Sequence, residues 1–169
     1  NERDRLASIL RNRGHYYFRS DHIAFRADTL ERPQHVQLQI VPAPTMSKAA
    51  TMPFHIGKTK VTIRKYNNYE ITDSIKFGDF SMYWSGGDKR KPSLRLAAFY
   101  RYLYQRKGDL YSQEMHNLIQ KELSNMGIFS SVQLNYVPRD TSLLNGKYNT
   151  NNLCDTLDIE ILCTLDKPY

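Results

Sequence analysis

Two stretches of this chain follow one plan. Residues 12–25 read NRGHYYFRSDHIAF and residues 125–137 read NMGIFSSVQLNYV. Each closes an amphipathic run, passes a glycine and an aromatic, and continues into an alternating segment. Gly14 and Gly127 are 127 − 14 = 113 residues apart, so the repeating unit is domain-sized, longer than the roughly 20–50 residues of a solenoid repeat. The echo therefore predicts two similar modules in succession. A chain of 169 residues has room for one ordinary domain or two small ones.

In the first module, Leu6, Ile9 and Leu10 recur at helical spacing over residues 2–13, and Gly14 supplies the stop that helices favour just past their end. Residues 16–26 are expected to be extended, with Ile23 and Phe25 on one face and His22, Ala24 and Arg26 on the other. Asp28 and Pro33 mark a turn. Residues 35–41 alternate Val36, Leu38 and Ile40 against Gln37 and Gln39, as a half-buried strand does. Three prolines in PAPTMSKAATMP, residues 42–53, make the best linker, with a boundary near Ser47.

The second module begins with a strand at residues 58–65, Val61 and Ile63 inward and Lys60, Thr62 and Arg64 outward. Residues 67–92 form an irregular insert, in which Gly86 and Gly87 after Met82, Tyr83 and Trp84 suggest a hairpin. Pro92 opens a helix marked by Leu96, Phe99, Tyr100 and Leu103, ending near residues 107–109. Ser112 caps a second helix with Glu114 in its first turn; Met115, Leu118, Ile119, Leu123 and Met126 form its stripe, and Gly127 ends it. Residues 128–137 are a strand with Val132, Leu134 and Tyr136 on one face. A polar loop leads to the last strand, residues 157–165. Strand, helix, helix, strand, strand is an α+β order: two helices packed on one face of a three-stranded mixed sheet. The first module is the same unit truncated, starting at its second helix.

The net charge of +7 and pI near 9.4 admit an acidic partner. The basic residues are dispersed, and the tightest cluster, DKRK at 88–91, falls in an expected loop. No run of about 18 apolar residues could cross a bilayer as a helix. The chain opens directly on amphipathic helix and is expected to be cut from a longer protein. Cys154 and Cys163 on one strand would stand about 30 Å apart, too far to bridge; Cys163 continues the apolar alternation of Leu157, Ile159 and Ile161.

No constellation points to catalysis. His15, His22, His35, His55 and His116 show no metal-ligand spacing, and Asp73, Asp79 and Asp88 do not match a calcium loop. No phosphate-cradling or nucleophile motif is present. No cofactor or metal is expected, and the chain reads as a non-enzymatic module. The aromatic run HYYF at 15–18 could stack nucleic-acid bases, but that needs aromatics on an open sheet face, where the alternation puts Gln37, Gln39, Thr62 and Arg64. Phe18 is expected instead to pack a helix end onto the sheet, as Phe129 does in the echo.

Residues 108–137, GDLYSQEMHNLIQKELSNMGIFSSVQLNYV, followed by LDIEILCTLDKPY, resemble the second half of a POTRA domain. POTRA domains are the periplasmic modules preceding the barrel in the BamA and TamA outer-membrane assembly family, surface antigens included. LASILRNRGHYYFRSDHIAFRADT with VQLQIVP resembles the corresponding part of the preceding domain. The short motifs behind the resemblance are carried by Gly108, Asp109, Tyr111, Ser112, Leu123, Gly127, Phe129, Leu157, Asp158 and Ile161. The insert departs from the family pattern. The resemblance implies residues 1–46 as the C-terminal part of one POTRA-like domain and 47–169 as a complete one with its insert at about 67–92. It implies a periplasmic polypeptide-binding or docking module, on the inner side of the outer membrane, of an assembly or translocation factor. Its partners would be unfolded or partly folded outer-membrane polypeptides, accessory assembly subunits and its own C-terminal membrane barrel, with no nucleic acid.

In the family's strand order the second strand lies at a sheet edge, here Val132, Gln133, Leu134, Asn135 and Tyr136, where an extended peptide could add as a further strand. Gln133 and Asn135 face outward, and a proline at Gln133 should weaken pairing if its amide points away from the sheet. Tyr83 and Trp84 are either docking aromatics or a satellite core under the insert. The alternative from another class is a basic adaptor domain that binds nucleic acid or another acidic partner, with steep salt dependence.

Overall fold

In the computed structural model of the chain, residues 1–28, 37–44, 46–85, 96–140 and 154–167 are described. The expected turn around Pro33, the DKRK cluster with the Gly86–Gly87 turn, the helix start at Pro92 and the polar loop of residues 141–153 lie outside them.

Local chemistry places the two principal helices. In α1, Glu2–Arg11, the Asn1 side chain accepts the Arg3 N–H, with Glu2 and Asp4 in the first turn and Arg11 in the last, the charge order a helix dipole favours. In α3, Gln113–Ser124, Ser112 accepts the Met115 N–H. Both helices end ahead of a glycine in the left-handed region, Gly14 at φ 100° and Gly127 at φ 75°, which is the physical content of the repeat.

Among the described residues, seven strands form two sheets. β1, Ile23–Asp28, pairs antiparallel with β2, Gln37–Pro42. The other five are β3 (His55–Arg64), β4 (Asp73–Phe77), β5 (Phe80–Trp84), β6 (Phe129–Pro138) and β7 (Thr156–Leu165), in the order β4-β5-β3-β7-β6. β3 runs parallel to both β5 and β7, while β4–β5 and β6–β7 are antiparallel. The expected three-stranded mixed sheet is thus present as β3-β7-β6, and the insert widens it to five by adding a hairpin beside β3. The hairpin turns at Gly78 and Asp79, between Phe77 and Phe80. Gly78 adopts φ 57°, so the glycine that closes this hairpin lies ahead of Tyr83 and Trp84.

Register aligns the core across the strands. Met82, Val61, Ile161 and Leu134 form one row; Trp84, Ile63, Cys163 and Val132 form the next. α3 covers them with Ile119 and Leu123, both fully buried. Burial pushes the Cys163 thiol up to about 12, so it behaves as a small apolar side chain. Helix α2, described over Leu96–Tyr100, ends earlier than its stripe predicts. Tyr102 N–H donates to Phe99 O and Leu103 N–H to Tyr100 O, tighter three-residue bonds that turn the chain out of the helix while Phe99 and Leu103 stay buried.

The first module differs from its sequence reading in two ways. A 3-10 turn at Ser20–His22 separates the HYYF run from β1 and buries His22. Phe18 packs with Ala7 and Ile23 in a small separate cluster. β2 is not half-buried: Leu38 is 68% and Ile40 58% exposed. Their register partners are Ala27 and Phe25; α1 packs Ala7 with Ile23 and lays the Arg3 guanidinium 5.1 Å over the Phe25 ring, which stays 37% exposed.

Candidate functional site

β6 is an edge strand, bonded to β7 on one side and to no other strand among the described residues. Val132, Leu134 and Tyr136 are half-buried on the helix side, whereas Gln133, Asn135 and Val137 are exposed on the opposite face. Which main-chain groups are free follows from the ladder. Register pairs Pro138 with Leu157, and the next pair is closed by Arg139 N–H donating to Thr156 O at 2.9 Å. In an antiparallel ladder a residue's N–H and C=O point the same way and alternate along the strand. With no register shift between Ser131 and Pro138, Gln133, Asn135 and Val137 point into the sheet, and Val132, Leu134 and Tyr136 present their N–H and C=O groups outward.

Two independent details agree. The Val132 carbonyl accepts Gln120 Nε2 from α3 at 2.7 Å, and Pro138, which has no N–H, occupies an outward position where none is needed. The condition attached to a proline at Gln133 is therefore not met. The Gln133 side chain is exposed but its amide faces β7, so a proline there would break the ladder and would not block an added strand.

A buried polar network stiffens the middle of β6. Gln105, 1% exposed, donates from Nε2 to the Tyr136 hydroxyl at 2.8 Å and accepts Ser112 N–H on Oε1 at 2.8 Å. His116 Nδ1 lies 2.9 Å from the same hydroxyl. Burial lowers the His116 pKa and raises that of Tyr136, so the neutral ring accepts the phenolic proton. Tyr111, pushed up to about 12 by burial, packs edge-on against Tyr136 with centroids 5.0 Å apart.

The residues carrying the family motif support this edge from behind. Gly108 N–H donates to Ile56 O, Ile56 N–H to Asp109 O, and Tyr111 N–H to Phe54 O, stitching the turn before α3 to β3. Asp158 accepts the Lys58 N–H at 2.8 Å and pairs with Arg139 at 2.7 Å. Gly57 sits between them, at the register shift in β3. A Cβ there would fall 2.5 Å from Asp158 Oδ1 and 2.6 Å from Arg139 Nη2. The sequence reading missed Gly57, Gln105 and Gln120; a glycine inside an alternating strand was the available signal for the first.

Trp84 and Tyr83 separate. Trp84 is 7% exposed in the main core, so it packs the sheet and is not a docking side chain. Tyr83 lies on the opposite face with the Lys60 ammonium 4.9 Å over its ring, and Tyr69 carries the Arg64 guanidinium at 3.8 Å. The open face therefore does hold aromatics, contrary to the alternation argument, but one face of each of these two rings is already taken by the protein's own cation.

Residues 12–16 are seated against α3 and β6 near this site. Phe54 N–H donates to Gly14 O, and Glu114 N–H to Asn12 Oδ1. Tyr16 contacts Tyr111 and Tyr136 at centroid distances of 4.9 and 5.2 Å.

No family model and no curated protein matches the sequence. Among solved structures the chain is similar to BamA from Haemophilus ducreyi lacking POTRA domains 1–3, with 15% identity and a TM-score of 0.52 over 96% of this chain and 22% of that one. It is also similar to the N-terminal domain of Omp85 from the thermophilic cyanobacterium Thermosynechococcus elongatus, with 11% identity and a TM-score of 0.46 over 97% of this chain and 50% of that one. A third is POTRA1–3 of Omp85 from Anabaena, with 8% identity and a TM-score of 0.47 over 96% of this chain and 48% of that one. The chain spans half or less of the length of these structures. The likeness is one of fold and rests on the first of them: this chain has a POTRA-like α+β fold of the kind found with BamA.

Proposed function

We propose that the chain is a polypeptide-docking module of an outer-membrane protein assembly or translocation factor, placed on the periplasmic side and acting by strand addition at β6. Residues 1–46 would be the closing part of one POTRA-like domain and residues 47–169 a complete one. Its partners would be unfolded or partly folded outer-membrane polypeptides and accessory subunits, presented to the factor's own barrel. The observation that carries this reading is the row of outward main-chain groups at Val132, Leu134 and Tyr136, derived from the Arg139–Thr156 bond and the continuous register. Main-chain pairing reads peptide shape with little regard to sequence, which suits a module that handles many unfolded chains.

The test is a labelled ten-residue peptide alternating valine and threonine, titrated against the chain by fluorescence anisotropy. Weak binding is expected, with Val132→Pro lowering affinity about fivefold or more, the equivalent of about one hydrogen bond and the steric block. Equal binding by wild type and Val132→Pro, with unchanged circular dichroism, contradicts the reading.

A further inference from the structure

Among the described residues, the hairpin added by the insert gives the sheet a second edge, β4, with different chemistry. β4 pairs with β5 so that Ile75 lies opposite Met82 and Phe77 opposite Phe80, which directs all four side chains to the helix side of the sheet. Met82 and Phe80 are buried, but Ile75 is 44% and Phe77 72% exposed. An apolar row on an open strand edge is the arrangement that natural sheets usually blunt.

Beside this row, on the same face, is a groove of about 210 Å³ lined by Phe77, Phe80, Tyr100, Leu103, Arg106 and Lys107. Its walls are aromatic, Phe80 meeting Tyr100 edge-on. Its charged lining is Asp79, Arg106 and Lys107, one cation in excess. Lys107 is paired with Asp79 at 3.0 Å, whereas the Arg106 guanidinium stacks 4.2 Å over Tyr100 and gives one N–H to Leu103 O. Among the described residues its remaining side-chain donors meet no carboxylate.

We propose that the β4 edge and this groove dock an extended segment of a second polypeptide. The segment adds beside β4, lays an apolar or aromatic side chain in the groove against Phe77 and Tyr100, and places an aspartate or glutamate carboxylate on Arg106. The added strand continues the Ile75–Met82–Val61 row outward, so its groove-side positions are apolar at alternate residues. The site belongs to the insert, and it stands or falls separately from the β6 reading.

A fluorescein-labelled nine-residue peptide alternating valine and serine, with a central phenylalanine and a glutamate two residues later, is titrated against the full chain. Saturable binding is expected, weakened about tenfold by Phe77→Ser and by Arg106→Gln, as for central interface anchors. Replacing the peptide's glutamate by lysine should weaken it to a similar extent, and Val132→Pro should leave it unchanged. No binding to wild type, or wild-type affinity in both Phe77→Ser and Arg106→Gln, overturns the proposal. Loss confined to Val132→Pro also overturns it, by placing the peptide on β6, and leaves the proposed function standing.

Discussion

Tyr136 does three things at once: it packs against Tyr16 and Tyr111, it satisfies Gln105, and it holds one outward main-chain position of β6. Tyr136→Phe keeps the ring and deletes the hydroxyl, leaving the buried Gln105 amide short of an acceptor. The expected cost is about 1–3 kcal/mol, read as a lower urea midpoint at unchanged slope. His116 adds a pH signature, because burial lowers its folded-state pKa below the ordinary value of about 6.5. The unfolded chain then binds the proton first as pH falls, so stability from this site is complete above the ordinary histidine range and is lost as pH drops towards the lowered folded value. A urea midpoint that declines from pH 7.5 to 5.5 in wild type, and declines less in His116→Gln, is the expected result. Gly57→Ala should cost roughly 1–3 kcal/mol by crowding the Asp158–Arg139 pair. Sequence named Tyr136 and Asp158 through alternation and motif, but Gln105 was invisible because a buried glutamine is recognisable only by partners that come from elsewhere in the chain.

At the scale of elements, legibility followed periodicity. α3 carries a cap, a clean apolar stripe and a glycine stop, and it folds as written; Ser112→Ala should cost about 1 kcal/mol, measurable by urea unfolding. From Ser131 to Val137 β6 alternates without interruption, so its faces could be assigned from sequence. Its amide directions could not, because side-chain alternation and main-chain alternation are linked only once the partner strand is known. α2 has an equally good stripe, Phe99 and Leu103 are both buried, and the helix still stops at Tyr100. Burial was legible there and backbone was not, since two apolar residues four apart can reach one core from a turn as well as from a helix. The hairpin that turns at Gly78 was not legible because Gly78 stands alone, whereas Gly86–Gly87, outside the described residues, has the stronger turn composition. Gln120, which occupies the Val132 carbonyl, competes with an added strand. Gln120→Ala should therefore raise peptide affinity about two- to fivefold, whereas a decrease would mean that the side chain assists docking.

Over the whole molecule, α1 with Gly14 and α3 with Gly127 each lead into a pair of strands, and the chain around Gly14 is packed on the rest. Gly14 is held against Leu110, Pro53 and Phe54, and Tyr16 reaches the aromatic cluster behind β6. Tyr16→Ala should destabilise by about 1–3 kcal/mol and speed amide exchange in α1 more than in β3 or β7. Whether β6 offers its main-chain groups at alternate residues to an added strand can be read by amide exchange followed by NMR. In the free chain the Leu134 and Tyr136 amides should exchange fast and those of Gln133 and Asn135 slowly. Saturation with the valine–threonine peptide should protect the first pair and leave the second unchanged. If Leu134 and Tyr136 are slow without peptide, or stay fast with it, β6 is not the docking edge.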